Sequence, residues 1–162
     1  MARIVPLIYS PRFDESVVSY PGRLLALAIS LACFVVYLTA LLLPPNTAGI
    51  STHRALGLEP CQFLERTGLP CPACGMTTSY THFVRGHFLG SLYVQPMGFV
   101  LAVLTGVTFW AALYIALTGR PAHRLLSRLN GLAWIIGLML FGAAAWGWKI
   151  FIHVRGLDGW NG

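Results

Sequence analysis

The sequence predicts an all-α integral membrane protein: three transmembrane helices, with one short helix and one amphipathic interfacial helix between the first two. Three observations predict it. Hydrophobic residues make up 56% of the chain and charged residues 10%, against about 25% charged in an ordinary soluble domain. The apolar residues gather into three continuous runs rather than alternating; with no water to satisfy the backbone, such runs select helices over barrel strands. Each run is also long enough, at about 1.5 Å per residue, to cross a hydrocarbon core of about 30 Å. A mean hydropathy of +0.68 agrees.

The first span, Leu24 to Leu43, carries no charge. It exceeds the roughly 7–15 residues of a signal h-region and lacks a small-x-small cleavage site, so it reads as a signal anchor. Pro44-Pro45-Asn46 stops it, because proline cannot continue a helix. Glu59-Pro60 opens a short helix with Cys61 in its first turn, and Thr67-Gly68 closes it. From Gly75 to Phe88 the pattern is amphipathic. Met76, Tyr80, Phe83, Val84 and either His87 or Phe88 share one face; Thr78, His82 and Arg85 share another, which offers a polar contact surface. Gln95-Pro96 begins the second span, which runs from Val94 to Leu117. The third, Asn130 to Ile152, is interrupted only by Lys149, whose stem allows it to snorkel. Residues 1–162 form a single membrane domain, with a cysteine cap at about 58–90.

Orientation follows from arginine density. Three spans put Arg3, Arg12, Arg23, Arg120, Arg124 and Arg128 on one side, and Arg54, Arg66, Arg85, Lys149 and Arg155 on the other. Arg120, Arg124 and Arg128 crowd one short loop, where the positive-inside rule counts most. The N-terminus is therefore expected in the cytoplasm, the cysteine segment on the outer face, and the chain in a bacterial inner membrane. The net charge of +6 flanks the spans, which suits anionic headgroups. No aromatic-interleaved basic patch points to nucleic acid. The five acidic residues all lie outside the spans, which argues against a proton-coupled transporter.

Chemistry concentrates in Cys61 and Cys71-Pro-Ala-Cys-Gly-Met-Thr-Thr78. Three uses are open and weighted evenly: a Zn or Fe site held by Cys61, Cys71 and Cys74, a disulfide or redox set made of the same three, and free thiols packed for structure. A metal wants a fourth ligand. His82 lies eight residues beyond Cys74, about 12 Å along a continuous helix, which leaves His53, water or a partner residue. Cys33, inside the first span, reads as a small buried hydrophobe. Haem ligation by His82 with His153 is a weaker idea. Trp134, Trp146, Trp148 and Trp160 read as an aromatic belt. The pairs Ala102/Gly106, Ala133/Gly137 and Ala143/Gly147 permit close helix approach. No catalytic serine–histidine–acid set and no phosphate loop is present.

The run Cys61-x5-Thr67-Gly68-x2-Cys71-Pro72-x-Cys74-Gly75-x-Thr77 resembles the bacterial "domain of unknown function" family numbered twenty-seven fifty-two, small membrane proteins built around this motif. The resemblance covers about residues 58 to 105, including Arg85-Gly86. It implies membrane location and a cysteine core, and no established reaction. Two departures stand out: the family usually has Arg where this chain has Thr78, and commonly Asn-Pro where it has Gln95-Pro96. If that arginine carries the family's activity, this chain is a structural derivative.

A three-helix bundle leaves little room for a substrate cavity, while small-residue and aromatic faces suit docking. The expected function is therefore a non-catalytic accessory or assembly subunit of a larger membrane complex, partnered by other membrane subunits and the bilayer. The alternative is a membrane thiol-disulfide or metal-handling protein using the three clustered cysteines. A lone protein that organises lipids is a third option.

Overall fold

The computed structural model describes residues 18–44, 57, 59, 61–120 and 131–158. Arg3, Arg12, Pro45, Asn46, His53, Arg54, Pro60, Arg124, Arg128, Asn130 and Trp160, all used in reading the sequence, lie outside them. Among the described residues every regular element is a helix: α1 Tyr20–Leu42, α2 Gln62–Thr67, α3 Met76–Val84, α4 Phe88–Val94, α5 Pro96–Thr118 and α6 Gly131–Val154. Three of them, α1, α5 and α6, are long and apolar enough to span a bilayer. Their outward faces are Leu, Val, Ile, Phe and Trp, the surface a hydrocarbon solvent requires. The chain is an integral membrane protein.

The spans start and stop for local reasons. Pro21 and Pro96 sit in the first turns of α1 and α5, where a missing N–H costs nothing. Gly119 ends α5 in the left-handed conformation at φ 69°. Neither α1 nor α5 carries a basic residue in its own last turn, so cations arrive from elsewhere in the chain. Arg23, near the start of α1, donates to Ala116 O at 3.1 and 3.0 Å and to Leu117 O at 3.2 Å. Arg85, just past α3, donates to Ala40 O at 3.3 Å, Leu41 O at 2.9 Å and Leu43 O at 2.7 Å. Each guanidinium satisfies orphan carbonyls and faces the negative end of a helix dipole. The Arg23 clamp, with Val18 N–H on Gly119 O at 2.8 Å, fixes α1 and α5 as an antiparallel pair.

The core of that pair is a close crossing. Tyr37 donates to Ala102 O at 2.6 Å, and a Cβ added at Gly106 would meet the Tyr37 hydroxyl at 2.8 Å. The Ala102/Gly106 pair is therefore a site of helix approach. Gly137 and Gly147 have nothing within 4 Å of such a Cβ, and Ala133 and Ala143 are exposed. Among the described residues, no helix packs closely on these two pairs.

The expected amphipathic helix over 75–88 is two helices, because the chain breaks at Arg85-Gly86, with Gly86 at φ 80°. Its polar side is the buried one. Thr78, Ser79, Thr81 and His82 are enclosed, whereas Met76, Tyr80, Phe83 and Val84 are half-buried. Neighbouring helices make this inversion affordable by supplying partners: Ser79 Oγ meets Ser91 O at 2.9 Å, Ser91 Oγ at 2.8 Å and Gln95 O at 3.1 Å. At Gly98 an added Cβ would lie 2.8 Å from the Ser79 side chain, so α5 meets α3 backbone to side chain.

Candidate metal centre

The cysteine segment is built by two short devices. Cys61 is the N-cap of α2 rather than a residue of its first turn, the helix starting at Gln62 instead of at Glu59-Pro60, and Gly68 closes it at φ 70°. After Leu69-Pro70, Cys74 N–H bonds to Cys71 O at 2.9 Å. This closes a turn with Pro72 at its second position, where the fixed proline φ fits. Gly75, at φ 87°, then reverses the chain into α3, a conformation that disfavours any side chain.

These devices bring three sulfurs together. Sγ of Cys61, Cys71 and Cys74 all lie within 4.8 Å of one another. Cys71 Sγ is 3.2 Å from Cys74 Sγ, and all three cysteines are thiols. Cys74 is buried, while Cys61 and Cys71 are partly exposed. Cys33 lies in the first span and does not join the cluster.

Electrostatics divides the thiols. The backbone N–H of Leu64, at the start of α2, pulls Cys61 below the ordinary thiol value. Burial pushes Cys74 up to about 12. In the absence of a cation, the cluster is thus a half-exposed acidic thiol beside a deeply protonated one.

The turn is anchored from outside by two side chains. Gln95, fully buried at the start of α5, donates from Nε2 to Pro72 O at 2.9 Å. Trp146, in α6, donates from Nε1 to Pro70 O at 2.9 Å. Sequence reasoning took Gln95 as part of a helix start and Trp146 as belt. Only a contact map could have assigned them to the turn, since nothing in their spacing singles them out. Lys149, expected to snorkel, is instead fully buried and pairs with Asp158 at 3.0 Å. Asp158 also bonds His153. The tail that carries Asp158 folds back because Leu157 N–H bonds Ile152 O at 2.8 Å and Gly156 N–H bonds His153 O at 2.9 Å.

The three residues expected to offer a polar contact surface are engaged within the chain. Thr78 is fully buried in α3. His82 is 8% exposed, and its Nδ1 has no hydrogen-bond partner among the described residues; burial, then His87 and Arg85, lower its pKa. Arg85 is the clamp on α1. His82 packs edge-on against His87 with ring centroids 6.2 Å apart, and neither joins the sulfur cluster among the described residues.

The sulfur spacing brackets what a tetrahedral ion requires. Zn–S bonds of about 2.3 Å give tetrahedral edges of about 3.8 Å, inside the 3.2–4.8 Å range seen here. Chemically, three thiolates on one face can hold a borderline or soft cation and leave one position for another ligand.

Residues 61–110 match the model of a family described as "Protein of unknown function (DUF2752)". It is the family that the cysteine motif resembles, and the match spans the cysteine cap and the first part of α5. No curated protein matches, and no solved structure does.

Proposed function

Starting from a segment of that family, to which no reaction is attached, we propose that this chain is a membrane-anchored metal-handling protein. Cys61, Cys71 and Cys74 hold one thiophilic divalent cation, zinc in first place, at the boundary of the bilayer. The observation that carries this reading is the convergence of three Sγ atoms within 4.8 Å from two separate sequence segments. Packing alone gives no reason for it, since a buried thiol serves as a hydrophobe without company. Gln95 and Trp146 act as supports that fix the ligand turn, as hydrogen-bonding neighbours do in metal sites generally.

The fourth position is open to water or to a residue of a partner; His53, the other candidate from the sequence, lies outside the described residues. The chain is one membrane domain over 1–162, with its N-terminus cytoplasmic and its cysteine segment on the outer face of a bacterial inner membrane. Arg120, Arg124 and Arg128 support that orientation.

Metal analysis of protein purified in mild detergent with reductant tests this reading. The expected result is about one zinc per chain, lost in Cys71→Ser and Cys74→Ser. Wild-type protein that takes up no Zn, Fe or Cu overturns it.

A second reading, a non-catalytic accessory or assembly subunit of a larger membrane complex, is favoured by α6. Among the described residues, nothing packs within 4 Å of a Cβ placed at Gly137 or Gly147, and Ala133 and Ala143 are exposed. Gentle-detergent sizing checks it: a species larger than one chain with its micelle is expected, and a monomer alone rules it out.

A further inference from the structure

We propose that the metal site is redox-gated: a peroxide-class oxidant joins Cys71 to Cys74 as a disulfide and expels the cation. This deepens the metal-handling reading and rests on it. The geometry that points here is asymmetry within the cluster. Cys71 Sγ lies 3.2 Å from Cys74 Sγ, already short of the tetrahedral edge of about 3.8 Å. A disulfide needs about 2.05 Å, so about 1 Å of approach separates the thiol pair from the bond. The two residues belong to one closed turn, and the carbonyl just before it, Pro70 O, and one within it, Pro72 O, are both held. Joining the sulfurs therefore leaves the surrounding helices in place.

Exposure assigns the roles. Cys71 is partly exposed and meets the oxidant; Cys74 is buried and resolves. The Cys71 thiolate attacks one peroxide oxygen, forming an S–O bond and breaking the O–O bond. The departing hydroxide takes a proton and leaves as water. Cys74, held as a thiolate while the cation is bound, then attacks Cys71 Sγ, forming the S–S bond and displacing the second hydroxide, which takes a proton from solvent and leaves as water. Two electrons pass from the two sulfurs to the peroxide. The cation, left with Cys61 alone of its three thiolates, is released. Reduction by a dithiol restores the site.

The experiment uses the full chain in detergent, loaded with zinc and treated with hydrogen peroxide. Released zinc is read with a chelating indicator, and disulfides by non-reducing peptide mapping. One zinc freed per Cys71–Cys74 disulfide, with Cys61 remaining a thiol, is the expected result, reversed by dithiothreitol. In metal-free Cys74→Ser protein, dimedone should trap a sulfenic acid at Cys71. Cys61→Ser, also metal-free, should still form the Cys71–Cys74 bond, which guards against loss of fold as an explanation. Zinc that stays bound while peroxide is consumed, or a disulfide that maps to Cys61, overturns the switch and leaves the metal reading intact. No zinc uptake by reduced protein overturns the metal reading and, with it, the release step.

Discussion

Gln95 links two elements through one amide, and its two ends are treated differently. Nε2 holds Pro72 O at 2.9 Å, while Oε1 is buried with no hydrogen-bond partner among the described residues. Replacing the side chain by leucine loses one hydrogen bond and also removes an unsatisfied acceptor, terms of about 1 kcal/mol each and of opposite sign. Gln95→Leu should therefore melt within a few degrees of the parent in detergent. Its zinc retention under chelator competition should nevertheless fall about tenfold, because the ligand turn loses its outer support. His82 gives a pH prediction. Burial first, and His87 and Arg85 after it, favour the neutral ring, so the folded pKa lies below the unfolded value of about 6.5. The unfolded chain then binds the extra proton, and stability falls as pH drops below about 6.5 and levels off beneath the folded pKa. His82→Gln should flatten that part of a thermal-melt series between pH 7 and 5, and an unchanged slope would remove His82 as its source.

Arg85 acts as the C-terminal cap of a helix it does not belong to. Its bonds to Ala40, Leu41 and Leu43 carbonyls, together with Thr81 O at 3.0 Å, make α3 and the end of α1 one unit. Arg85→Met should cost about 2 kcal/mol, within the range for charge-assisted bonds, and Lys should recover part of it because it supplies charge without the planar fork. Thermal unfolding of the three proteins measures this. The spans themselves were legible in the sequence, since uncharged length alone decides them: α1, α5 and α6 fall within a few residues of expectation. The cysteine grouping was legible as a motif, because a proline turn between cysteines three apart folds locally. What escaped was everything set by distant contacts. The amphipathic pattern over 75–88 does not say which face is buried, and Ser79, Ser91 and Gln95 turned the polar one inward. The break at Gly86 was likewise hidden inside a periodicity that runs unbroken through it.

At the scale of the whole molecule, α6 is fastened at its C-terminal end. Trp146 reaches Pro70 O, Trp148 donates to Tyr93 O at 2.8 Å, and Tyr93 donates to Leu157 O at 2.9 Å. Lys149 and Ile152 are fully enclosed there, whereas residues 131–141 are exposed along their whole length. The Lys149–Asp158 pair secures the same end by joining the returning tail to the span. Asp158→Asn should cost about 3 kcal/mol, because it removes the carboxylate charge that neutralises a buried ammonium, while the double variant Lys149→Met/Asp158→Asn should lose less than the single change. A double-mutant cycle in detergent reads this, and simple additivity would remove the pair from the account of that end. A rod pinned at one extremity turns sideways pressure into torque at the pin. Here the pin includes the carbonyl immediately preceding the first sulfur of the turn, so a bilayer that tilts the third span pulls on the cysteine turn itself.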